Sequence, residues 1–470
     1  MLEYGHMSEI YAVNPFELNR DPSVEELFDT LLAVEPKPIG NFVPTNAAEQ
    51  KDLFFDGTIR NPDHQYDKLS AIDFEANRTE ILDVTNQLVD HEDTPLKYKD
   101  TYVNFGQNYL NKTIYMEKVN QYKQAEDGET KDALRADLMK MNIELYGEPD
   151  EQTYRSILNE KLDVIKNKEL SGEAATIRDE LMGLVGDVET SNVERFHPSE
   201  ETVAWMNEIA HSLYDGMLDH IPDEKTFEDA AIKAVFEDIL LEEFGESAKG
   251  WKVDVEKAQS INVKAGEKRL VIPEGRKVSQ AELRDLVVHE LGVHFMRSVM
   301  GDQTDLLPLR LGLSEYYDTE EGLGVVMEQA LAGEFKEAGL GHYLTAGLAH
   351  FDGKDFRDIF EIKWRLDALA KDDIETSDKA LDKTKQATYK NTMRVMRGTD
   401  DMPWFKDLAY YNGAAETWKH LESIVGDDIE FMLVLLGKAN PSNPSHRRIM
   451  LETATPSFAD DPTEEEAAKV

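Results

Sequence analysis

The periodicity of apolar residues in this chain changes character once, at Trp251, and that change constrains the fold more than any other feature. Upstream, apolar residues recur at helical spacing through residues 67–90, 96–124, 131–146 and 152–185, then near 200–219 and 226–244. Ser23, with Glu26 three residues later, predicts a capped start for the first helix. No convincing period-2 run interrupts this half. From Trp251 the pattern alternates: 251–255, 261–264 and, after a turn at 265–268, 269–273. Ser279 and Glu282 then carry the spacing of a capping box, and Leu283, Leu286, Val287 and Leu291 form the apolar stripe of the helix they open. One strand cluster among many helices predicts a mainly α protein with a small antiparallel β-sheet, an α+β fold.

Composition narrows the functions such a fold can serve. With 94 acidic against 51 basic residues the formal charge is −43, which excludes nucleic-acid phosphates and anionic membranes as partners of the chain as a whole. Cysteine is absent, so disulfides, thiolate nucleophiles and thiolate-ligated metals are excluded as well. Residues 1–11 lack the basic and apolar regions of a secretory signal. The run 431–436 is far short of the roughly 20 residues of a membrane span. These features predict a soluble, cytoplasmic protein.

The capped helix carries His289-Glu290-Leu291-Gly292-Val293-His294. Two neutral imidazoles can hold zinc while a carboxylate beside the first takes a proton from water at the metal. The spacing is five, however, and not four. At about 100° per residue, positions five apart diverge by about 140° on an α-helix, so both histidines can face one ion only where the helix widens, as at a π-bulge. Gly292, a weak helix former, lowers the cost of that widening. The competing reading makes His294 a core or surface histidine and Glu290 a solvated residue. A third donor should come from the helix that begins near Asp318, where Glu321 stands. Asp318 and Glu321 also have capping-box spacing, which would give Glu321 a backbone role instead.

The His-Glu-x-x-x-His string followed by Thr319-Glu320-Glu321-Gly322-Leu323 resembles the microtubule-associated tyrosine carboxypeptidases. It is also similar to their bacterial relatives, the flavohaemoglobin expression-modulating proteins with a Gln-Glu-Gly-Leu-Ala motif. Asn61-Pro62 with Tyr66, Leu145-Tyr146-Gly147 with Pro149, Arg397-Gly398 and Lys406-Asp407 with Tyr410 and Gly413 resemble further elements of the family, in order. The chain departs from the pattern at Gly324, where the family usually has Ala, and has Glu320 where the bacterial members have Gln.

The resemblance implies a zinc metallocarboxypeptidase with a thermolysin-like zincin catalytic core and one Zn2+ per chain. It implies His289, His294 and Glu321 as ligands and Glu290 as general base. The substrate would be a peptide or protein C-terminus, losing a tyrosine or another aromatic residue. The alternative is a catalytically silent, metal-stabilised regulatory or binding protein of the same fold. The expected organisation is an N-terminal arm over 1–20, a helical domain over 21–195, a zincin-like catalytic domain over 196–455 and an acidic disordered tail over 456–470.

A carboxypeptidase must also capture a terminal carboxylate and stabilise an oxyanion. Arg394, Arg397 and Lys406 are candidates for the first task, and Tyr316, Tyr317 and Tyr410 for the second. Arg397 has a purely structural alternative, tying its turn to the acidic body. His342 and His350 read as packing or surface residues. Lys379, Lys383, Lys390, Arg394 and Arg397 fall within about 60° of one helix face. Such a stripe would either guide an acidic peptide toward the cleft or pair with the acidic N-terminal half.

Overall fold

Asp21, and not Ser23, caps the first helix, Pro22–Ala33: its carboxylate accepts from the Ser23 N–H at 2.8 Å and Pro22 fills the first turn. The structure, a computed structural model, describes residues 20–186, 191, 193–258 and 260–454. The expected arm, apart from residue 20, and the acidic tail lie outside the described residues. The helical run 96–124 is a short 3-10 turn leading into Lys99–Gln124, and 200–219 is one helix, Glu200–Asp219. The run 152–185 is two helices, Glu151–Lys166 and Gly172–Val185, parted before Gly172 at φ +58°. The run 226–244 opens instead with a strand, β1 (Thr226–Glu228), too short to show a period of its own. Helix Asp229–Ile239 follows and ends in a π segment, Leu240–Phe244.

The remaining strands are β2 (Lys252–Glu256), β3 (Asn262–Lys264), β4 (Arg269–Pro273) and β5 (Lys277–Ser279). β1 and β5 pair antiparallel. The other sheet has the order β2-β4-β3, with β3 antiparallel and β2 parallel to β4, so it is mixed rather than the expected antiparallel sheet. Alternation reports which face is buried and not which way a strand runs. The tight turn at Ala265–Glu267 forces β3 and β4 into a hairpin, and β2 takes the free edge of β4. Leu270, Val271 and Ile272 of that central strand are fully buried.

The largest apolar core joins Glu200–Asp219, the sheet, the helix that carries His289 and His294, and the helices Tyr317–Ala332 and Ala409–Ser423. The other three cores each combine residues from both sides of position 195. Phe54 and Tyr154 pack with Tyr389 and Phe405, for example, and Phe42 with Trp404. No helix among the described residues is long and apolar enough to cross a membrane.

Candidate metal and substrate site

Ser279 and Glu282 form the expected capping box, each accepting from the other's backbone N–H. The helix they open is α over Gln280–Leu286, π over Val287–Phe295 and α again over Met296–Asp302. This is the widening that a five-residue spacing demands. It brings the His289 and His294 rings to 4.7 Å between centroids, nearly perpendicular at 82°. Gly292 has a second role here that its helix propensity does not reveal. A Cβ on it would fall 2.6 Å from the Tyr214 ring, and the Tyr214 hydroxyl donates to the Gly292 carbonyl at 3.1 Å.

Helix Tyr317–Ala332 supplies the third donor. Its N-cap position is Tyr316, with no side-chain cap, so the Asp318–Glu321 capping box does not form and Glu321 is free of a backbone role. Donor atoms of His289, His294 and Glu321 all lie within 4.8 Å of one another. Burial alone would raise the Glu321 pKa, but Lys406, the two imidazoles and the Tyr317 hydroxyl hold it below the ordinary carboxylate value. Gly324 faces the His289 ring, where a Cβ would come within 2.6 Å. The departure from Ala therefore makes room for the imidazole. A Cβ on Gly322 would collide with the backbone of Gly413, and one on Gly413 with the Asp318 carbonyl. This glycine contact seats helix Ala409–Ser423 against the glutamate-bearing helix.

Two further carboxylates, which sequence reasoning missed as site residues, orient the imidazoles. Glu328 Oε1 lies 2.6 Å from His289 Nδ1 and Glu320 Oε1 lies 2.9 Å from His294 Nδ1. Both Nδ1 atoms are thus occupied and both Nε2 atoms remain for an ion. Glu320 is itself held by Arg297 and, at 2.8 Å, by Lys438, while Arg297 donates to the Ala439 carbonyl at 2.6 Å. One signal was available for Glu328: with Glu321 and Gly324 it shares a face at i, i+3 and i+7. None was available for Arg297 or Lys438. Burial would lower the His289 pKa, but the Glu328 hydrogen bond and the Glu290, Glu328 and Glu321 charges outweigh it and push it up to about 9. Glu290 is buried, its Oε2 has no hydrogen-bond partner among the described residues, and burial raises its pKa. An orphaned carboxylate oxygen beside three converging donors fits a metal site with a proton acceptor at its edge.

The candidates for substrate contact divide by what already holds them. Arg394 grips Asp407 through two hydrogen bonds of 2.7 and 3.0 Å and donates to the Tyr410 hydroxyl at 3.1 Å. Lys406 lies 3.2 Å from Asp407 and over the Tyr317 ring at 4.5 Å. Burial opposes ionisation of Asp407, but Lys406 and Arg394 hold it far below the usual carboxylate range. Tyr316 stands beside Tyr317, 6.2 Å between ring centroids, and burial raises the pKa of both hydroxyls. Arg397 stacks over Trp404 at 4.9 Å. His342 packs against Tyr410, and burial pushes its pKa down to about 4. His350 meets Glu148 at 3.0 Å. The residues of the basic stripe are held differently. Lys379, Lys383 and Lys390 are exposed and make no ion pair among the described residues, while Arg397 lies beyond the helix end with ψ 150°.

The model of one family, the microtubule-associated tyrosine carboxypeptidases, matches residues 191–444, more than half of the chain. The chain belongs to that family. It is therefore a peptidase of the carboxypeptidase type, with a peptide or protein as substrate. The candidate metal donors, Arg394, Arg397, Lys406 and Tyr410 all fall inside the matched span; the elements around Asn61 and Leu145 fall outside it. No curated protein and no solved structure matches this chain.

Proposed function

We propose that this member is a zinc metallocarboxypeptidase that removes a C-terminal tyrosine or another aromatic residue. The observation that carries the reading is the convergence of His289, His294 and Glu321 within 4.8 Å beside the buried, unpartnered Glu290 oxygen. His289 and His294, each through Nε2, and Glu321 would hold one Zn2+ per chain. When bound, the ion supplies Lewis acidity toward the scissile carbonyl and toward water. Glu290 accepts the proton of the attacking water and returns it to the leaving amine, a task suited to a carboxylate whose pKa burial has raised. Glu328 and Glu320 keep the two imidazoles in the tautomer that leaves Nε2 free. Tyr317, whose hydroxyl bonds Glu321, and Tyr410, with Lys406 over both rings, are the donors for a developing oxyanion. The reading carries with it a thermolysin-like zincin core within 196–455 and a cytoplasmic setting.

Digestion of a mixed peptide library, with and without chelator and read by mass spectrometry, tests it. The expected result is loss of single C-terminal residues, aromatic ones first, abolished by chelator and by Glu290→Gln. Stoichiometric zinc with every peptide left intact would establish the silent regulatory protein instead. Freshly purified protein without metal, and with stability unchanged in His289→Ala, overturns both.

A further inference from the structure

We infer that Arg397 is the receptor for the α-carboxylate of the substrate's last residue, a subsite that rests on the carboxypeptidase reading above. Three cations surround the tyrosines of the site, and two are already spent. Arg394 gives two hydrogen bonds to Asp407, and Lys406 shares the same carboxylate while lying in the field of Glu321. Arg397 makes no hydrogen bond and no ion pair with any described residue, and its Nε is fully shielded from solvent. Shielding a guanidinium nitrogen without an acceptor is costly, so such a group calls for a partner outside the chain.

The surroundings of Arg397 suit a carboxylate. One face of the guanidinium is covered by Trp404, which leaves its edge, the fork that matches a carboxylate bidentately, as the donor surface. Besides the Asp407 charge, the group feels Tyr317, whose hydroxyl hydrogen-bonds Glu321 of the proposed metal centre. A second buried nitrogen, His342 Nδ1, also lacks a hydrogen-bond partner among the described residues and feels the same Asp407, Arg394 and Lys406.

The turn that carries Arg397 is fixed from outside the matched span. The Gly398 N–H donates to the Tyr66 hydroxyl at 2.8 Å. Asp400, at φ +69°, accepts from the His64 backbone N–H at 2.8 Å and from Lys123 at 2.9 Å, and its other oxygen lies 2.7 Å from His64 Nδ1. Tyr146 packs edge-on against Trp404 at 5.7 Å. The elements around Asn61 and Leu145 thus brace the platform on which the guanidinium rests. A receptor held this firmly loses little entropy when it binds.

The test measures equilibrium binding to the zinc-loaded Glu290→Gln protein, so that turnover is not needed. The probes are a short N-acetylated peptide ending in tyrosine and the same peptide with a C-terminal amide. The free acid is expected to bind about 10- to 100-fold more tightly than the amide, the range for hydrogen bonds to a charged group. Arg397→Met, which can still stack on Trp404, should lose that preference, Arg397→Lys should regain part of it, and Arg394→Gln should keep it. Equal binding of acid and amide by the protein that retains Arg397 overturns the proposal without any substitution at that site. A preference that survives in a folded Arg397→Met protein, checked by thermal melting, overturns it too. Failure of both peptides to bind also overturns it. A clear acid preference in a chain whose Glu290-containing form cleaves nothing would uphold the subsite and sink the peptidase reading alone.

Discussion

The helix that ends at Phe244 and the helix that carries His289 and His294 both widen into π geometry, over Leu240–Phe244 and Val287–Phe295. Each has a histidine beside it or in it and a carboxylate within the widened turns. At the first segment, His220 Nδ1 meets Asp238 at 2.7 Å and Nε2 meets Glu243 at 3.1 Å, so both ring nitrogens are spent on the protein's own carboxylates. At the second, Glu328 and Glu320 occupy only the Nδ1 atoms, which leaves Nε2 of each imidazole open where donor atoms of His289, His294 and Glu321 converge. Widening a helix therefore does not by itself make a site. What distinguishes the second segment is a free nitrogen on each imidazole, together with a neighbouring helix close enough to add a third donor.

The largest effect that should separate the two segments is chemical. Glu290→Gln is expected to lower kcat by about 10²- to 10⁴-fold with zinc content unchanged, the range for loss of a general base. Glu243→Gln should leave turnover as it was; an equal loss in both variants would erase the distinction. Next, Glu328→Gln removes the carboxylate on His289 Nδ1. Zinc affinity, measured by competition with a chelating dye, should fall about 10- to 100-fold. An unchanged affinity would mean that Glu328 does not orient the ligand.

Two glycines sharpen the comparison through packing. Ala at Gly292 drives a methyl into the buried Tyr214 ring at 2.6 Å, whereas at Gly216, beside the first segment, the nearest atom is a Glu243 oxygen at 3.2 Å. Gly292→Ala should cost about 1–3 kcal/mol in denaturant unfolding and weaken zinc binding. Gly216→Ala should stay within about 0.5 kcal/mol of the parent. Similar losses in the two would show that Tyr214 yields.

The smallest effect is a pH dependence at the first segment. Burial lowers the His220 pKa, but the hydrogen bonds and charges of Asp238 and Glu243 raise it above the ordinary histidine value. A histidine raised on folding contributes its full stability below the unfolded pKa and loses it as pH rises through the folded one. The advantage over His220→Gln should therefore be greatest below about pH 6.5 and fade above it. Because the Asp238 partner is largely exposed, it should amount to only a few tenths to 1 kcal/mol. Denaturation midpoints at pH 6 and pH 9 check the sign, and a difference that grows with pH would contradict it.

Much of the site was legible locally. The capping box at Ser279 and Glu282 spans three residues, and the need for a π turn between His289 and His294 follows from the rotation per residue alone. Local spacing misled where two local patterns competed. Ser23 and Glu26 looked like a cap, but Asp21-Pro22 took the role, and Asp318 and Glu321 were spaced as a cap that did not form. The strand alternation at 251–255 marked β2 but could not say that it runs parallel to β4.

By itself, then, the sequence determined the candidate donors, their spacing and the helix distortion that sharing one ion would require, because backbone geometry couples residues only over a turn or two. The tertiary structure alone decided which partner each group received. Glu320 is tied to Arg297 and Lys438, Glu328 to His289 and Arg394 to Asp407, while Arg397 has no acceptor among the described residues. Those assignments depend on helices far apart in the chain meeting at contacts such as Gly322 on Gly413, where only the missing side chains allow the approach.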